Sequence, residues 1–182
     1  YRRQRQMCIR DRVKHMIRQA QQSDLTSILD IYNDAIINTT AVYTYQPTNI
    51  EERQAWFNHK QQNGDPIFVF EKDDIVQGFA TYGQFRDWPA YLYTIEHSIY
   101  VHPKYRHLGI ASQLLIKLIE EAKDNNFRTL IAGIDASNTG SIKLHEKFGF
   151  SHSGTIKYAG YKFDQWLDLT FYQLDLYNIK RD

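Results

Sequence analysis

Glu96 places a carboxylate inside an apolar run made of Tyr93, Ile95, Ser98, Ile99, Tyr100 and Val101. An ionised side chain there costs free energy unless partnered, and burial raises its pKa. Two roles fit such a group: a general base, acting directly or through water, or a structural carboxylate paired to a buried Tyr or Arg. A second feature is Arg86, which follows Phe85 and shares the chain with the aromatics Tyr43, Tyr45, Trp88, Tyr91 and Tyr93. Its guanidinium can grip a carboxylate bidentately beside an aromatic wall, which suits a small amino acid. The plainer reading is a solvated loop arginine, with the aromatics in the core or on a dimer surface.

The segment Val101-His-Pro-Lys-Tyr-Arg106-His107-Leu108-Gly109-Ile110-Ala111 joins a strand ended by Pro103 to a helix with a regular apolar face. A helix N-terminus presents unpaired N–H groups and a partial positive charge, so it accepts an anion wherever the preceding turn allows close approach. Gly109 and Ala111 allow that approach, and Arg106 and Lys104 can add charge-assisted bonds to phosphate oxygens. The turn lacks the Gly-Lys-Ser/Thr ending of a nucleotide P-loop and the GxGxxG of dinucleotide sites. A small residue at a strand-to-helix turn is by itself usually there for geometry alone.

Arg106-x-x-Gly109-x-Ala111 resembles the Arg/Gln-x-x-Gly-x-Gly/Ala motif of the GNAT acetyltransferases. Glu96-His-Ser-Ile-Tyr-Val-His-Pro, Asn138-x-x-Ser141-x-x-Leu144-His145 with Gly149-Phe150, and Ala159-Gly-Tyr-Lys162 with Trp166 and Asp168 are similar to the phosphinothricin and methionine sulfoximine acetyltransferase branch. The likeness runs in order from about residue 17 to 176. One departure is His107, where relatives often have Gly.

The resemblance implies an α/β GNAT fold: a central mixed, mostly antiparallel twisted sheet, splayed between its fourth and fifth strands and flanked by helices on both faces. It implies acetyl-CoA as co-substrate, held by Ser98, Ile99, Tyr100 and Val101, by Arg106, His107, Leu108, Gly109, Ile110, Ala111 and Ser112, and by Asn138 and Ser141. A bulge near Ser98 to Tyr100 is expected to open the sheet, with backbone N–H groups there holding the thioester oxygen. Asn138 reads equally as an ordinary helix cap. The likeness favours Glu96 as general base and gives His145 the part of general acid or thiolate stabiliser, where many family members have Tyr.

Phe85, Arg86, Tyr91, Tyr93 and Glu96 are the expected acceptor site. The implied reaction is acetyl transfer to the primary amine of a small amino acid or analogue, by direct attack in a ternary complex. An N-terminal acetyltransferase of proteins or peptides would want an open, often acidic groove. A non-catalytic acyl-CoA sensor would not need both Glu96 and His145. A homodimer built on the last strands is also implied.

The elements that must carry these residues follow from periodicity. Residues 17–20 read as a strand, and Ser23 as the cap of a helix bearing Leu25, Ile28, Leu29, Tyr32, Ala35 and Ile36. Thr48 and Glu51 form a capping box for a helix with Trp56 and Phe57. Residues 67–70 and 75–85 read as a hairpin, and 91–101 as a strand. The period then changes to helical, with Leu114, Leu115, Leu118, Ile119 and Ala122 on one face. A strand at 129–134, a helix ended by Gly149, and strands at about 154–158 and 166–175 complete one domain over residues 16–178, with 179–182 a tail.

Residues 1–15 are basic and without period, and are expected to be a non-native or disordered leader ahead of Met16; the alternative is a basic arm for RNA or membrane. With 22 Lys+Arg against 21 Asp+Glu, the chain has no charge footprint for nucleic acid or an anionic membrane. No apolar run is long enough to cross a bilayer, and the cytoplasm is the expected compartment. The lone cysteine, Cys8, excludes an intramolecular disulfide framework, and His97, His102 and His107 match no metal-binding spacing, so no metal is expected.

Overall fold

The computed structural model describes residues 15–177; the expected leader up to residue 14 and the tail lie outside the described residues. A seven-stranded sheet organises them: β1 (His15–Gln19), β2 (Ile67–Lys72), β3 (Ile75–Gln84), β4 (Thr94–Val101), β5 (Thr129–Asp135), β6 (Ser151–Lys162) and β7 (Gln165–Asp175). Their order is β1-β2-β3-β4-β5-β7-β6. Every neighbouring pair is antiparallel except β4 and β5. The helices are α1 (Leu25–Asn38), α2 (Ile50–Asn63), α3 (Ile110–Asp124) and α4 (Thr139–Lys147).

Alternation along β2 shows how both faces are covered. Phe68 and Phe70 join the core beneath α3, with Ile95, Leu114, Leu115, Leu118 and Leu130. Ile67 and Val69 join the core beneath α1 and α2, with Leu25, Ile28, Ile31, Phe57 and Phe79. A strand buried on both faces reads as an uninterrupted apolar run, which is what Ile67-Phe-Val-Phe70 is.

Several boundaries move for local reasons. His15 belongs to β1, where it pairs with Lys72 and stacks on the Phe70 ring at 5.5 Å, so the sheet reaches into the expected leader. Ser23 does not cap α1: it lies in a 3-10 turn, and Asp24 follows it as N-cap, its carboxylate taken up by the Gln21 N–H (2.7 Å) and Arg18. The cap of α2 sits one residue later than Thr48, at Asn49, whose side chain accepts from the Glu52 N–H at 2.9 Å. Asp73 and Asp74 both take positive φ, 53° and 59°, in the β2–β3 turn, as the twist of a two-residue hairpin demands. β4 begins at Thr94 because Pro89–Tyr91 form a 3-10 turn.

β4 and β5 pair only from Thr94 to Glu96 against Thr129 to Ile131, although β4 continues to Val101 and β5 to Asp135. The sheet is therefore split at the C-terminal ends of these two strands. The expected bulge is not how the split arises. β3 and β4 keep one register from Gly78↔Val101 to Gln84↔Ile95, so β4 stays with β3 while β5 leaves with β7, to which it pairs along its whole length.

Candidate active site

The split and the turn into α3 are adjacent, since β4 leads through Pro103–Tyr105 directly to that turn. Gly109 is the N-cap of α3 with φ 80°, and His107 also takes a positive φ, 63°. That conformation suits glycine and strains a side-chain-bearing residue, so His107 stands where glycine would fit without strain. Gly78 on β3 seats the helix start: a Cβ there would meet Ile110 Cγ2 and the Tyr100 carbonyl at 3.1 Å. Arg106 is exposed and paired with Asp34 of α1 at 3.1 Å, which anchors the turn to the other face of the sheet.

The free edge of β4 can be read from the ladder. Phe85 N–H donates to the Thr94 carbonyl and His102 N–H to the Gln77 carbonyl, so even-numbered residues of β4 direct their amides to β3. Ser98 and Tyr100 are thus engaged, and the amides of Ile99 and Val101 face the split.

Glu96 is the last β4 residue paired with β5, and its side chain lies on the α1/α2 face with those of Ser98 and Tyr100. Burial raises its pKa, and Arg86 opposes the rise. Among the described residues no ion pair engages it. Gly133 on β5 makes room for it, because a Cβ at that position would stand 3.2 Å from Glu96 Oε1. Arg86 lies exposed over the Phe85 ring at 4.4 Å, and Phe85 meets Tyr91 edge-on at 5.9 Å.

His145 lies beneath the opposite face. It is 5% exposed and His97 is 6% exposed. Their Nε2 atoms are 3.0 Å apart, and Phe150 packs edge-on against the His145 ring at 5.0 Å. His145 Nδ1 donates to the Ser141 carbonyl at 2.7 Å. Burial lowers the pKa of both imidazoles, and in His97 the partner ring adds to the effect. Asn138 caps α4, its side chain accepting from the Ser141 N–H at 3.1 Å.

The family model for the GNAT acetyltransferases matches residues 14–150. The chain belongs to the GNAT acetyltransferase family. It is 39% identical over 160 residues to the L-methionine sulfoximine/L-methionine sulfone acetyltransferase of Salmonella typhimurium, covering 88% of this chain and 94% of that protein. The crystal structure of an N-acetyltransferase from Staphylococcus aureus Mu50 superposes with a TM-score of 0.89 at 66% identity, covering 90% of this chain and 99% of that one. A phosphinothricin acetyltransferase from Sinorhizobium meliloti, solved in complex with AcCoA, superposes with a TM-score of 0.86 at 34% identity, covering 88% of each chain.

Within this GNAT enzyme the expected site residues fall into distinct sets. Ile99 and Val101 lie on the edge of β4 that β5 has left, and residues 106–112 form the turn after β4 and the first residues of α3; Glu96 and His145 lie on opposite faces of the sheet. Tyr43 and Tyr45 belong to a different wall from Phe85 and Tyr91: their hydroxyls donate to the carbonyls of Asp168 and Tyr161, on the β6–β7 hairpin. Tyr93 is exposed.

Four supporting residues, His97, Gly133, Gly160 and Lys162, have no role assigned from the sequence, although His97, Gly160 and Lys162 stand in the stretches that carry the family resemblance. Gly160 admits the Tyr43 ring, which a Cβ would meet at 2.7 Å. Lys162, 3% exposed, donates to the carbonyls of Ile36, Thr39 and Val42 at 2.6–2.8 Å and so closes the end of α1. A lysine at a strand end gives no sequence signal for such a role, since lysine is ordinarily a surface residue. Among the described residues no cluster of His, Cys, Asp and Glu is placed to hold a metal ion, and no helix is long and apolar enough to cross a membrane.

Proposed function

We propose that this GNAT enzyme transfers the acetyl group of acetyl-CoA to the α-amine of a small amino acid of the methionine sulfoximine or phosphinothricin type. The observation that carries the reading is the split between β4 and β5 beside the α3 N-terminus, with Glu96 at its apex. In this reading the pyrophosphate sits on the amides after Gly109, and the pantetheine arm runs in the split. The amine nitrogen attacks the thioester carbonyl carbon while Glu96 takes its proton, directly or through water. The amides of Ile99 and Val101 hold the developing oxyanion. The C–S bond then breaks, releasing the amide and the thiolate of coenzyme A, which is protonated on departure; His145, reached from the other face, stabilises that thiolate.

Arg86 binds the acceptor carboxylate, and its field at Glu96 supports a place beside the base. We assign the enzyme to the cytoplasm, where a coenzyme A donor is supplied. We also read it as a homodimer, because β6 is a 12-residue edge strand whose outer surface exposes Ile156, Tyr158 and Tyr161 beside Trp166 of β7.

The test is thiol release from acetyl-CoA against methionine sulfoximine, methionine sulfone, phosphinothricin and a set of N-terminal peptides. Turnover with the amino-acid analogues supports the reading. Turnover with peptides alone would sink it in favour of an N-terminal acetyltransferase, and tight CoA binding with no turnover would favour a sensor.

A further inference from the structure

The hydrogen bonds of His145 fix where its proton sits. A carbonyl oxygen only accepts, so at 2.7 Å from the Ser141 carbonyl the His145 Nδ1 must carry the hydrogen. In the neutral ring Nε2 is then a bare acceptor. The 3.0 Å contact between the two Nε2 atoms is a hydrogen bond only if His97 supplies the hydrogen. His97 consequently keeps its own Nδ1 bare, and that atom is buried without a hydrogen-bond partner. The surroundings agree with a neutral pair. Phe150 covers both rings edge-on, and burial lowers the pKa of both imidazoles, outweighing the Ile131 backbone, which acts in the opposite direction on His97. Ser141 is the remaining polar neighbour, and the one titratable group that faces each imidazole is the other.

We propose that His97 is a positioning residue for the transfer reaction: its Nε2–H holds the His145 ring in one orientation with the proton on Nδ1, toward Ser141 and the N-terminal end of α4. This rests on the reading that His145 assists the departing thiolate. With Nδ1–H given to the Ser141 carbonyl and Nε2 filled by His97, the neutral His145 ring has no proton to release, and it acts on the thiolate by holding Ser141 and the start of α4 in place.

Long-range proton–nitrogen NMR of the histidine-labelled full-length enzyme, followed between about pH 5 and 8, reads the arrangement directly. The native spectrum is expected to show His145 protonated on Nδ1 alone, His97 protonated on Nε2 alone, and both constant across that range. His97→Gln keeps a donor for Nε2 and is expected to leave the His145 signals in place, with kcat within about threefold. His97→Phe removes the donor while keeping the His145 ring buried, so the His145 hydrogen is expected to spread over Nδ1 and Nε2. Its kcat is expected to fall about tenfold or more, with KM for acetyl-CoA unchanged.

A native spectrum with the His145 proton on Nε2 would overturn the proposal without any variant, as would a His97→Phe enzyme whose His145 signals and kcat match the native ones. Should His145→Ala turn over normally while the spectra behave as expected, the catalytic part given to His145 falls and the pairing with His97 stands.

Discussion

Glu96 is held in a half-buried position with its pKa raised, and this has opposite consequences for activity and stability. In the proposed role of base it would work ionised, so kcat/KM should fall as pH drops through its pKa, with the acid limb above the ordinary carboxylate range. Arg86→Ala removes the opposing cation, so the limb should move to higher pH while KM for an amino-acid acceptor rises about tenfold or more. An unchanged limb in a pH–rate series would show that Arg86 exerts no field at the base. Glu96→Gln should lower kcat by about 10²–10⁴. For stability the sign is reversed. A carboxyl whose folded pKa is raised contributes stability at low pH that is lost as pH rises through that pKa. Glu96→Gln should therefore raise the thermal midpoint near neutral pH by about 2–4 °C, the shift roughly 1 kcal/mol produces in a chain of this size, and should not do so in acid.

At the scale of elements, two connections carry the site. The turn into α3 holds His107 at φ 63°, a conformation that costs a non-glycine residue about 1 kcal/mol. His107→Gly should raise the unfolding free energy obtained from chemical denaturation by up to about 1 kcal/mol and leave CoA affinity within twofold if the anion site is made of backbone amides. The α1–α2 connection is secured by Lys162, whose ammonium satisfies three carbonyls at once. Lys162→Met leaves those acceptors buried without a donor and should destabilise by about 2–4 kcal/mol. It should also loosen Tyr43 and Tyr45, seen as faster amide exchange confined to residues 36–46.

For the whole molecule, the long outer strand β6 and the aromatic cluster of Tyr158, Tyr161 and Trp166 form an apolar edge. If this edge joins two copies, Trp166→Glu should convert the dimer to a monomer by light scattering, with the dissociation constant raised at least about tenfold. A native enzyme that is monomeric at high concentration would remove the proposal.

The order of strands and helices, the apolar faces, the anion-compatible turn and the family were legible in the residues because each is local: a period, a cap type, a glycine at a turn. Even there, Ser23 and Thr48 lost their capping parts to Asp24 and Asn49, since several polar residues in a row can each cap and packing chooses one. Tertiary structure alone decided how the sheet opens. β5 leaves β4 after Ile131 because it is zipped to β7 over its full length, and no residue in β4 announces that. It also decided that Glu96 and His145 approach from opposite faces and that His145 meets His97, 48 residues away in the chain. Contacts of that range are made by the packing of α4 against β5, which brings His145 to His97 on β4, where burial and a missing donor, rather than any local pattern, determine which groups must pair.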